Sequence, residues 1–63
     1  MILVKFILRS AAGNPGGEVQ IAKGKLPAVP RVGESVVIND VARTVHSVEW
    51  DVTKMEVIVR LEH

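Results

Sequence analysis

Valine and isoleucine recur at every second position in short runs, and each run is cut off within a few residues by Gly, Pro, Asn or Asp. That pattern restricts the chain to β structure. β-Branched side chains suit a pleated surface and are stiff in a helix, and a period of two puts them on one face of a strand. No stretch carries apolar residues at helical spacing over three turns.

Five strands follow. Residues 2–9 place Ile2, Val4, Phe6 and Leu8 on one face and Leu3, Lys5, Ile7 and Arg9 on the other. A strand apolar on nearly both faces is either central or covered by a partner. Residues 10–17 form a loop, with turn chemistry concentrated in Asn14-Pro15-Gly16-Gly17. Residues 18–23 are the second strand, with Val19 and Ile21 toward the core and Gln20 and Ala22 away from it. Residues 24–33 read as an irregular connection, because Pro27 and Pro30 cannot donate to a ladder. Leu26 and Val29 are expected to cap an open end of the core. Arg31-Val32-Gly33-Glu34 is a turn into the third strand, residues 35–39, where Val36 and Ile38 face inward.

Asn39-Asp40 makes a tight turn, since both residues tolerate left-handed backbone. The fourth strand covers residues 41–50, and its alternation slips: Val45 and Val48 fall in opposite phases. One extra residue at His46-Ser47 puts Val45, Val48 and Trp50 on the same side, which is the mark of a β-bulge. Residues 51–54 turn the chain into the fifth strand, residues 55–60, with Met55, Val57 and Val59 inward and Glu56, Ile58 and Arg60 outward.

The expected architecture is all-β: a single small five-stranded antiparallel domain, a partly open SH3-like barrel with a bulge in the fourth strand. The long first loop and the tight later turns favour this over an OB-like barrel, which often has a helix between its third and fourth strands. A two-sheet sandwich is the alternative. The stretch Pro30-Arg31-Val32-Gly33-Glu34-Ser35-Val36-Val37-Ile38, followed by Val45, Val48 and Trp50, resembles small uncharacterised SH3-like β-barrel proteins of phages and bacterial mobile elements. In these, a P-x-V-G-E-x-V-x-I strand precedes a V-x-x-V-x-W strand and a final apolar strand. The resemblance covers residues 30–60 and implies a small barrel without assigned activity. It lends no catalytic residues. Where such proteins often carry an aromatic on the fourth strand, this chain has Arg43.

With 63 residues the chain is one domain with a small core. It has no cysteine, so no disulfide framework or thiolate metal site supplements that core. Association with a partner is the supplement left open. Leu61-Glu62-His63 resembles a vector-derived tag remnant, so the domain is taken as residues 1–60 and residues 61–63 are set aside. Eight Lys and Arg stand against seven Asp and Glu, too even a balance to mark a nucleic-acid binder. The run at residues 2–8 lacks a basic segment before it and is interrupted by Lys5, so we expect a strand rather than a secretory leader, and a cytoplasmic protein without a membrane span.

Nothing in the sequence assembles chemistry. His46 is the one histidine before the last residue, and a zinc site needs three or four converging ligands. Asp40 and Asp51 fall in turns, where aspartate bonds nearby backbone. Ser10, Ser35 and Ser47 lack a nucleophile motif. The Gly-rich stretch leads into a strand and is not a phosphate loop. The expectation is therefore no enzyme, no cofactor and no metal. Two surface readings remain. Outward Leu3, Ile7, Val37 and Ile58 form a candidate interface for a homo-oligomer or a protein partner. Lys5, Arg9, Lys23, Lys25 and Arg31 are candidate nucleic-acid contacts, although Phe6 and Trp50, the two aromatics available for stacking, both fall in the core phase.

Overall fold

A computed structural model describes residues 1–9 and 18–62; the loop expected over 10–17 lies outside these residues. The described residues form five strands and no helix: β1(Ile2–Leu8), β2(Val19–Leu26), β3(Ser35–Ile38), β4(Val41–Asp51) and β5(Glu56–Leu61). They form one curled half-barrel sheet in the order β2-β1-β5-β4-β3. β1 is therefore an internal strand of the sheet.

The sheet is not wholly antiparallel, and here the sequence expectation is corrected. β1 and β5 run parallel, with Val4 beside Val57, Phe6 beside Val59 and Leu8 beside Leu61. The cause lies in the connection from β2 to β3. Those strands are consecutive in sequence yet occupy opposite edges of the sheet. The eight residues between Leu26 and Ser35 must cross from one edge to the other. Extended, they reach at most about 29 Å, and four interstrand spacings span about 19 Å. The segment crosses on the concave side, where Val29 packs against the core. This strap lets the meander β3-β4-β5 return with β5 alongside β1 in the same direction.

Register assembles the core in rows across the concave face. Gly24, Val4, Val57 and Trp50 form one row, and Ala22, Phe6, Val59 and Val48 the next. Val19, Leu8, Leu61 and Val45 form a third, in which Val19, expected in the core, is exposed on the edge strand β2. The buried set is Val4, Phe6, Val45, Val57, Val59 and Leu61, with Ile2, Ile21, Ala22, Leu26, Val29, Val36, Ile38 and Val48 packed around it. Leu61, set aside on sequence grounds, is fully buried at 0% exposure. Its carbonyl accepts the Arg9 amide at 3.1 Å, and the next amide, of Glu62, donates to Thr44 at 2.8 Å.

Two bulges shape the sheet. The one expected in β4 is present: the register jumps between Val45 and Ser47, leaving His46 as the extra residue. The half of β4 before it pairs with β3 (Val36 with Arg43, Val37 with Ala42), and the half after it pairs with β5. A second bulge lies in β2, where Phe6 pairs with Ala22 but Ile7 pairs with Gln20. It leaves Ile21 extra, so Ile21 and Ala22 both pack against the core. The expected outward phase of Ala22 is thereby corrected. β2 also runs further than expected, to Leu26, because Gly24 sits in open space opposite Val4 and Pro27 is the first residue that ends the ladder.

The turns follow their residue chemistry. Asn39 and Asp40 have φ of 53° and 65°, the two successive positive values of a type I′ hairpin. In the strap turn the Glu34 amide donates to the Arg31 carbonyl at 3.0 Å, with Gly33 third at φ 91°. A side chain at that φ is strained, although space around Gly33 is open. Gly33→Ala is accordingly expected to cost about 1–2 kcal/mol, read as a lower midpoint in urea unfolding. A change below about 0.3 kcal/mol would show that the turn does not need this backbone.

Candidate interaction site

The β4–β5 hairpin ends the concave face. Asp51 closes its loop: the Lys54 amide donates to the Asp51 carboxylate Oδ1 at 3.0 Å. The loop runs one residue further than expected, so Met55 is its last member, with φ 57°, rather than the first inward residue of β5. Left-handed backbone is uncommon for a non-glycine residue, and here it turns Met55 out to solvent.

Trp50 keeps the core-facing phase read from the sequence, opposite Val57. It is nevertheless 61% exposed, although Val4 and Val57 in the same row are buried. Trp50 forms a wall shared by two grooves. One, about 350 Å³, is lined by Met1, Ile2, Leu3, Val52, Met55 and the carboxylate residues Asp51 and Glu56. The other lies between β4 and the strap and is lined by Val29, Pro30, Arg31, Val32 and Val48. Met1, Val32, Trp50, Val52 and Met55, each between 61% and 85% exposed, account for five of the eight exposed large hydrophobic residues among those described. The inward positions expected for Trp50 and Met55 are corrected to exposed ones, and Val52, in the expected turn, joins them at the surface.

The candidate interface residues are only partly brought together. Leu3, Ile7 and Ile58 lie half-buried on the convex face of adjacent strands β1 and β5, with Lys5 and Arg60 among them. Val37 is exposed on β3 at the sheet's edge, separated from β5 by β4.

The candidate nucleic-acid contacts divide in the same way. Lys5 pairs across from Lys23, and Leu3 across from Lys25, so three lysines adjoin on the convex face. The Lys5 ammonium lies 3.0 Å from Glu56, a carboxylate only 7% exposed. Arg9 is at the far end of β1, where its Nη1 donates to His46 Nδ1 at 3.1 Å. Arg31 is on the strap beside Trp50. Acidic groups interrupt the rest of the convex face. Arg60 donates to Glu18 at 2.9 Å and to Glu49 at 3.3 Å. Partial burial opposes the charge on Arg60, but these bonds and the two negative charges outweigh it and raise its pKa above the ordinary value.

Arg43, at the position noted for its departure from the aromatic, is half-buried opposite Val36. Among the described residues no helix is long and apolar enough to cross a membrane, and no three His, Asp or Glu side chains converge as a metal site would require. Comparison with known protein families, with curated proteins and with solved structures yields no match to this chain.

Proposed function

We propose that the chain is a non-catalytic interaction module that associates with itself through the surface around Trp50. The gathering of Met1, Val32, Trp50, Val52 and Met55 carries this reading. Their exposed apolar surface is on the order of 600 Å², at the upper end for the largest patch on an ordinary monomer. A chain of 63 residues has little core with which to offset so much exposed apolar area. The finer reading of the half-barrel, as an SH3-like barrel akin to small phage and mobile-element proteins, rests on the bulged fourth strand and on the stretch from Pro30 to Ile38. The parallel β1–β5 seam departs from an all-antiparallel barrel.

The chain has one tryptophan, so its emission reports on this surface directly. Wild-type protein is expected to gain mass with concentration in sedimentation equilibrium while its emission shifts to the blue. Trp50→Ser is expected to stay monomeric at about 0.1 mM, a concentration at which even weak dimers form. Association unchanged by that substitution would remove this surface from consideration. The second reading, weak nucleic-acid binding, is favoured by the adjoining Lys5, Lys23 and Lys25. It requires a mobility shift at low salt that disappears as salt rises.

A further inference from the structure

Charges flank the apolar cluster unequally. Arg31 lines the groove on the strap side of Trp50, while the Glu34 carboxylate that accepts the Arg31 backbone amide at 2.6 Å faces the neighbouring groove and not this one. Asp51 lines the groove on the hairpin side. Among the described residues neither side chain belongs to an ion pair, since the Lys and Arg pairs found join Lys5 to Glu56, and Arg60 to Glu18 and Glu49. Asp51 accepts the Lys54 backbone amide, which leaves its charge without a cation.

A surface with an apolar centre, one basic flank and one acidic flank is complementary to itself. In a twofold contact the same patch serves both partners, so whatever lies to one side of the axis meets what lies to the other. A twofold axis beside Trp50 stacks the apolar clusters and brings each basic flank onto the partner's acidic one. A uniformly basic or acidic partner would satisfy one flank and be repelled by the other. The exposed apolar area, of order 600 Å² on each side, supplies most of the roughly 800 Å² per partner found in standard interfaces.

Resting on the self-association reading above, we propose that a second copy of this chain docks by twofold symmetry, Trp50 against Trp50, with Arg31 of each protomer paired to Asp51 of the other. The pairing makes an uncommon demand on variants. Chains carrying Arg31→Asp have two acids at the flanks and repel their own kind. Chains carrying Asp51→Arg have two bases and do the same. Mixed together, each acidic flank meets a basic one.

The test is sedimentation equilibrium on the full chain at low salt. Either charge reversal alone is expected to weaken self-association at least about tenfold, and the equimolar mixture to recover it to within about threefold of wild type. Because Asp51 also closes the hairpin loop, circular dichroism and thermal melts verify folding of Asp51→Arg. Asp51→Asn, which keeps the loop acceptor, is expected to show a smaller loss. If the two reversed chains do not associate on mixing while Trp50→Ser still abolishes the wild-type dimer, the twofold pairing is wrong and the Trp50 surface stands. If the wild type remains monomeric throughout, self-association itself is overturned.

Discussion

Leu61→Ala is expected to lower stability by about 2–5 kcal/mol, the range for deleting a large aliphatic side chain from a close-packed site. Leu61 has no exposed surface and packs in the row with Leu8 and Val45. Its backbone accepts from Arg9 at the open end of β1, so the side chain anchors a junction of three strands. At about 0.05–0.15 kcal/mol per residue, a chain of this length holds roughly 3–9 kcal/mol in all. The substitution therefore takes a large share of the total. The thermal midpoint should fall by about 10 °C or more, or the variant should be unfolded at room temperature. Leu61→Met, which preserves volume, should cost less than about 1.5 kcal/mol. Equal and small losses for both variants would place Leu61 outside the core.

The next largest effect is expected at the Lys5–Glu56 pair. Glu56 is 7% exposed and its carboxylate lies 3.0 Å from the Lys5 ammonium. Lys5→Met leaves that carboxylate largely cut off from water with no cation beside it. Breaking a fully buried pair costs about 3–5 kcal/mol. Lys5 retains 26% of its exposure, so we expect roughly 2 kcal/mol here. Replacing both residues with methionine removes the stranded charge as well as its partner. The double variant should lie within about 1 kcal/mol of wild type or above it, which makes the coupling measurable in a double-mutant cycle by urea unfolding. A Lys5→Met variant as stable as wild type would mean that Glu56 is hydrated in solution.

The pair also illustrates what the sequence could and could not report. Lys5 and Glu56 are remote in sequence, and alternation says which face a side chain takes, not what lies across the sheet. The bulge at His46 was legible because Val45 and Val48 have an odd spacing that only an extra residue can reconcile. The bulge at Ile21 was not, since Val19 and Ile21 alternate regularly and alanine at 22 fits either face. Asn39-Asp40 announced its turn through residue chemistry alone.

Direction was invisible. The alternation of Ile2, Val4, Phe6 and Leu8 is the same whether β5 runs with β1 or against it. For Trp50 the phase was legible and the burial was not, because alternation gives the face of a side chain and not what covers it. At Leu61 the signal is present in the alternation, since it continues the inward series of Val57 and Val59.

The parallel seam between β1 and β5 also governs how fast this chain can reach its native state. Val4 and Val57 are neighbours across it, although nearly the whole chain lies between them. The β3–β4 and β4–β5 hairpins need only local closure, an event of about 1–10 μs. The seam must wait until both ends of the chain meet, and such non-local pairing shifts folding toward milliseconds or longer. On a ribosome β1 emerges well before its eventual neighbour β5. Throughout that interval the most apolar strand in the protein can pair with β2 on one side only. Its other edge stays open to any strand that reaches it first, which makes synthesis, rather than the finished fold, the period when this protein is most vulnerable to aggregation.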